Sequence, residues 1–347
     1  MKNYIVGCVW VLILVGRSFG GATVEPELNR PEIHHAATNA NSLFLNPTER
    51  SSAVNTFVEI VQIKGINGQE QTIREKVKQI LKGSGAIELL SKENLSNAPF
   101  NLVMELPAVG KFTNDPGILF NAHLDTVPWS TPEHLRFDSA TGDFFHKDEA
   151  TPAKSSFGGD DRSGVIAIVA AMRTLHADYW TRGIPHRRIV LVFTADEERG
   201  CVGAKYLARH QPELFNKLDV TLSMDGPLEL HSNYPKDSLV AVVAEKDAMT
   251  DPYRRVLSLM QDFCNRSKMS FGRTEVGLGM GDFAYFPAVA RAGLHLRSPV
   301  RGWHSRERVK IQDLINHIDL ICFLTLGWDH PLPSKISPET LPVRIKD

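Results

Sequence analysis

The sequence predicts an α/β fold of three layers, with a mostly parallel central sheet and helices on both faces. Three runs carry that prediction: Ile118–Asn121, Ile189–Thr194 and Val220–Met224. Each is a short, near-continuous stretch of apolar and β-branched residues, as expected of strands covered on both sides. Stretches with helical spacing alternate with them, which favours parallel strands joined by crossover helices. Each run leads into side chains able to bind a metal: His123 and Asp125, Glu197 and Glu198, and Asp225. In open α/β sheets ligands bind outside the carboxyl ends of the strands, so these groups are expected to meet on one rim.

The elements follow in chain order. Lys2 precedes an apolar run from Tyr4 to Val15, and Gly20, Gly21 and Ala22 follow it. A run of roughly a dozen apolar residues is short for a bilayer span and fits a secretory leader. Residues 1–22 are therefore expected to be a signal peptide cut after Ala22. The mature chain is expected to be periplasmic or secreted, with no stable membrane association. Residues 23–50, rich in Pro, Asn, Thr and Ala, show no lasting periodicity and are expected to be an extended lead-in. Residues 51–330 are the expected catalytic domain, and 331–347 a C-terminal tail.

From Ser52, the residues Val54, Phe57, Val58 and Val61 recur at helical spacing. After Gly65-Ile66-Asn67-Gly68 a second helix runs through Ile73, Val77, Ile80 and Leu81 and stops at Lys82-Gly83-Ser84-Gly85. Asn101–Leu106 is an expected strand, and Asn114–Gly117 a turn. Trp129–Phe157 is polar and is expected to be a long loop over the rim. Gly164–Leu175 and Ala204–His210 are expected helices, and Ser238–Ala244 a strand. Three more helices are expected at Asp251–Arg266, Asp282–Ala292 and Ile311–Leu326.

Composition narrows the function. Formal net charge is −1 and the 23% charged residues are mixed in sign, so no basic stripe suggests nucleic acid as a partner. Cys201, Cys264 and Cys322 are widely spaced, without a CxxC pair, and are expected to be small core residues, one bridge among them being left open.

Five groups form the candidate site. In His123-x-Asp125, residues two apart in an extended segment share a face, so Asp125 can take the spare imidazole proton while His123 binds metal. In Gly158–Gly164, the glycines let backbone turn beside an ion, and Asp160 is the candidate bridge between two metals. Asp161 and Ser163 are open to the plainer role of helix caps. Asp196, Glu197 and Glu198 concentrate like charge after a buried strand, which is costly without a cation. Glu198 is expected to be a ligand and Glu197 the general base. Asp225 and His304 complete the set. Singly, each has a plainer reading as a turn residue or solvated side chain. The order His-x-Asp, Asp, Glu-Glu, Asp, His instead suggests two zinc ions and hydrolysis of amide bonds by an activated water.

These motifs resemble the dinuclear zinc peptidases that include peptidase T, carboxypeptidase G and acyl-amino-acid deacylases such as acetylornithine deacetylase. The matching segments are Phe57–Leu81, Ala122–Pro128, Gly159–Gly164, Thr194–Ala204, Asp225-Gly226, Gly281-Asp282, and His304-Ser305 with Glu307, within a likeness spanning roughly residues 50 to 328. The resemblance implies the zinc exopeptidase fold and two zinc ions per chain. It places His123 and Asp225 on one zinc, Glu198 and His304 on the other, and Asp160 between them. Asp125 would orient His123 and Glu197 would be the base.

In that group a lid and dimerisation domain commonly lies between the Asp225 and His304 positions. Here the fold's own elements fill most of that stretch, so the chain is expected to be lidless, similar in outline to single-domain zinc aminopeptidases, with a monomer favoured. Groups that grip a substrate carboxylate or oxyanion are then expected from Trp129–Phe157 and Arg297–Arg301. The expected substrate is a short peptide cut from its amino end, with an N-acyl amino acid as the alternative. Asp282 is open to two roles, meeting an α-ammonium or capping a helix.

Overall fold

The computed structural model describes residues 28–65, 69–89, 100–147, 155–226, 238–243, 250–275, 281–286, 290–302, 304–333 and 336. The expected leader, residues 66–68, 276–280 and 303, and most of the expected tail lie outside these residues.

An eight-stranded sheet forms the middle layer. Its centre is four parallel strands, in spatial order β6 (Ile189–Thr194), β3 (Gly117–His123), β7 (Leu218–Met224) and β10 (Ala290–Leu296). Beyond β6 lie β2 (Leu102–Leu106) and β1 (Ile87–Glu88), each antiparallel to its inner neighbour. Beyond β10, β8 (Ser238–Val243) runs antiparallel and β9 (Ser270–Glu275) pairs with β8. Every residue of β3, β6 and β7 is buried, which is why these strands read as apolar runs rather than alternations.

The two faces are covered unequally. One side buries Ile189, Leu191 and Phe193 under α1 (Arg30–Asn39), α2 (Pro47–Val61), α3 (Gln71–Leu81), α4 (Gly159–Asp178), α6 (Asp251–Ser267) and α7 (Ile311–Asp329). The other side buries Val190 and Val192 against the thinner layer of α5 (Val202–His210) and two short 3-10 turns. α7 is buried around nearly its whole circumference because α4, α6, α1, α2 and the strand Arg308–Lys310 pack around it. Among the described residues between Asp225 and His304, every strand belongs to the central sheet. The described part of this stretch therefore holds no separate lid.

Four expectations need correction. Residues 30–39 of the expected extended lead-in form α1, capped by Asn29, whose only buried residues are Ile33 and Ala37. So narrow a stripe leaves no periodic signal. α2 begins at Pro47, ahead of Ser52, because Asn46 and Glu49 form a reciprocal capping box. In the stretch expected as a helix over Asp282–Ala292, the described residues form a 3-10 turn, Asp282–Tyr285, and the start of β10 at Ala290. Finally, Trp129–Phe157 is not a plain loop. It contains β4 (Leu135–Asp138) and β5 (Asp143–His146), which join β11 (Arg308–Lys310) in a three-stranded sheet. Asp138 fixes the hairpin turn by accepting from the Ala140 amide and the Thr141 hydroxyl, and Phe144 packs its ring against Phe57 and Phe137.

Candidate metal centre

All five expected ligands and the expected base converge where β3, β6 and β7 end. His123 is the last residue of β3, paired in register with Thr194 at the end of β6, and Asp225 follows Met224 at the end of β7. Asp160 opens α4 in a non-helical conformation, joined to Asp161 by a cis peptide.

His123 Nε2 lies 3.8 Å from Asp160 Oδ1 and 3.7 Å from Asp225 Oδ1. His304 Nε2 lies 3.4 Å from Asp160 Oδ2 and 2.8 Å from Glu198 Oε1. Two triads therefore share Asp160: His123, Asp160 and Asp225, and Asp160, Glu198 and His304. The buried atoms His123 Nε2 and Asp160 Oδ2 make no hydrogen bond. Buried polar groups are seldom left so, and a cation beside each would satisfy both. Mixed imidazole and carboxylate donors suit zinc. By donor set, grouping and orphaned atoms, the residues fit two ions.

Burial and crowding oppose the ionisation of some of these acids. Burial foremost, then the charge of Asp225, pushes Glu197 up to about 9. Against the desolvation that would lower it, His304 is held up at about 10 by Asp160 and Glu198. His123 likewise stands well above its usual value through Asp125 and Asp225, despite its burial.

A second layer fixes these side chains. His123 Nδ1 meets the Asp125 backbone carbonyl at 3.1 Å, with the Asp125 carboxylate at 3.4 Å. The two oxygens of that carboxylate also accept the amides of Glu197 and Glu198, each at 3.0 Å, and so hold the turn after β6. Asp161, open to reading as a cap, accepts from the His123 amide and the Ser298 hydroxyl. Gly164 must stay a glycine here, because a Cβ would lie 2.3 Å from Asp161 Oδ1. His295 on β10 contacts the Asp225 carbonyl at 2.7 Å.

Glu307 has no role in the sequence beyond its place in the motif. In the fold, one of its oxygens accepts three successive amides, those of Phe157, Gly158 and Gly159, at 3.0, 3.0 and 2.9 Å. It thereby anchors the segment that delivers Asp160. Burial pushes Glu307 up to about 7. The Arg301–Arg308 backbone pair closes the loop that carries both His304 and Glu307. Trp129 donates from its indole nitrogen to the His304 carbonyl at 3.2 Å.

Neither of two expected substrate-gripping groups is exposed at the rim to meet substrate. Arg301 donates to Asp313 at 2.8 and 3.2 Å, and Arg297 is buried behind Gly226, 2% exposed, with its charge acting on Asp225 and Asp160. Asp282 is buried, accepts from the Thr194 hydroxyl, and is raised to about 7 by desolvation. It does not cap its short turn, which has no side-chain cap. Cys201, Cys264 and Cys322 are buried and free, so no bridge joins them.

Comparison with known proteins accords with this geometry. The profile of peptidase family M28 matches residues 101–320. A probable carboxypeptidase of Aspergillus flavus is 25% identical over 271 residues, covering 69% of this chain and 61% of that protein. One from Aspergillus oryzae matches equally. The chain thus spans about three-fifths of the length of these relatives. Among solved structures, aminopeptidase PepT of Bacillus cereus superposes with a TM-score of 0.59 at 15% identity, covering 79% of this chain and 97% of that one. The LapA aminopeptidase of Legionella pneumophila gives 0.53 at 15% identity, covering 88% and 76%. These structural likenesses are of fold.

Proposed function

The chain belongs to peptidase family M28, and from that premise we propose that it is a two-zinc exopeptidase that removes residues from the amino end of short peptides. The membership refines the kinship expected from the motifs: the family matched is M28, and the likeness to PepT is one of fold. The observation that carries the proposal is the pair of ligand triads sharing Asp160, with Glu197 beside them.

In this reading His123, Asp160 and Asp225 would hold one zinc, and Asp160, Glu198 and His304 the other. Zinc bound there would acidify a water and polarise a peptide carbonyl. Glu197 takes the proton from the attacking water and hands it to the leaving amine. Asp125 keeps Glu197 and Glu198 in place through their amides, and Glu307 keeps Asp160 in place through the Gly158-Gly159 backbone.

The amino-end preference rests on charge. Asp282, whose buried Oδ1 has no hydrogen-bond partner, lies beside Glu197 and offers a carboxylate to a substrate α-ammonium. Trp129, 37% exposed beside His304, offers an apolar surface for a substrate side chain. The relatives' name supports a second reading, release from the carboxyl end. The same centre would also serve an N-acyl-amino-acid deacylase.

One experiment separates them: zinc-loaded protein is given free peptides, N-acetylated peptides and C-amidated peptides. Cleavage of the free and amidated sets, with the acetylated set untouched, is expected. Loss of activity on amidated peptides would transfer the assignment to a carboxypeptidase, and release of acetate to a deacylase. Secretion with cleavage after Ala22 is proposed as well, and N-terminal sequencing of the mature chain tests it.

A further inference from the structure

Beside the two triads lies another grouping whose ligand atoms fall within 4.8 Å of one another: Glu197, Cys201 and Asp282. It shares no residue with either triad and, unlike them, contains sulfur. Cys201 is buried at the start of α5 with a left-handed backbone (φ 57°), which turns its side chain back on the preceding turn. Its thiol contacts Glu197 Oε1 at 3.3 Å. Asp282 comes from a distant part of the chain and is 2% exposed. Its Oδ2 accepts from Thr194, whereas its Oδ1 has no hydrogen-bond partner. A thiol, a carboxylate with an unpartnered oxygen and a second carboxylate make a donor set for a soft divalent cation.

We propose that Glu197, Cys201 and Asp282 form a third, inhibitory cation site, which takes thiophilic ions such as cadmium, or zinc in excess. As the sulfur–metal bond forms, the Cys201 proton leaves to solvent. The cation then occupies the carboxylate that would otherwise accept the proton of the attacking water, so filling the site stops turnover while both catalytic zincs stay bound. The inhibitory part rests on Glu197 as the base; the existence of the site does not.

The test titrates two-zinc protein with cadmium and reads two signals together: thiolate-to-cadmium charge-transfer absorption in the ultraviolet, and hydrolysis of the best peptide. Because neither triad contains sulfur, cadmium exchanging into those positions gives no such band. The wild-type chain is expected to show the band and lose activity over one concentration range. In Cys201→Ser the band attributable to this site should vanish, and half-inhibition should need about tenfold more cadmium or beyond. Cys264→Ser and Cys322→Ser serve as controls and should retain both effects. Absence of the band, or a band unchanged in Cys201→Ser, would overturn the site while leaving the role of Glu197 intact. A Cys201-dependent band with full turnover retained would overturn the inhibition, and with it Glu197 as the base.

Discussion

The site draws on two regions built in different ways. His123, Glu197, Glu198 and Asp225 project from the ends of three adjacent parallel strands, whose register is set by continuous ladders through a buried sheet. His304 instead rides on a short loop, closed by the Arg301–Arg308 pair and continuing into β11 of the small second sheet. The ladders of the large sheet position their residues directly. The loop is positioned by single side chains: Glu307 reaching the Phe157–Gly159 amides, and Trp129 reaching the His304 carbonyl. A metal centre can thus take most of its precision from one rigid sheet and close itself with an element that needs dedicated tethers.

Four substitutions probe that contrast. The largest effect is expected on the strand side. Glu197→Gln should lower turnover by about two to four orders of magnitude, with metal content by mass spectrometry unchanged; near-normal turnover would remove Glu197 from its role. Next is the support of the small sheet. Phe144 is fully buried between Phe57 and Phe137, and Phe144→Ala should cost about 3–5 kcal/mol in denaturant unfolding. A loss below about 1 kcal/mol would mean that the hairpin is not part of the cooperative core.

The tether between the regions comes third. Glu307→Gln should weaken zinc binding by about 10–100-fold, as second-layer changes do, without a matching loss of stability. Equilibrium dialysis against zinc reads it, and unaltered affinity would show that the loop holds itself.

The last probe lies at the N-terminal arm and reads only pH dependence: Asp319 of α7 accepts from the amides of Leu43 and Phe44 and the hydroxyl of Ser42. Burial raises Asp319 from 3.8 to about 7. The folded state therefore holds this proton more tightly than the unfolded chain. The associated stability is present in full below about pH 4 and is lost as pH rises through 7. Asp319→Asn should flatten that part of the stability–pH curve, measured by denaturant midpoints across the range. A slope identical to wild type would rule the group out.

What could be read from the residues divides along the same line. The three strand ends were legible because a strand covered on both faces must be apolar throughout, and charge placed straight after it stands out. Asp160 and His304 follow no such strand and were legible only from the order of the motifs and their resemblance to the zinc peptidases. α1 was invisible because two buried residues make no period, and β10 because its stretch lacked the continuous apolar run of its neighbours. The β4–β5 hairpin did leave a trace, in Phe137 and Phe144 flanking a turn rich in Asp, Thr and Gly, but the surrounding polarity masked it.

By itself, then, the sequence determined the layered fold, the placement of His123, Glu197, Glu198 and Asp225 at the ends of buried strands, and the chemistry those donors favour. Local pattern suffices for this, since strand and helix periodicity and side-chain type are properties of neighbouring residues. Only the tertiary structure decided that Asp125 carries the Glu197-Glu198 turn, that Glu307 anchors Asp160, that Arg301 is spent on Asp313, and that Cys201 and Asp282 meet at Glu197. Each of these is a contact between residues far apart in the chain, and its partner is chosen by packing geometry, which no local pattern encodes.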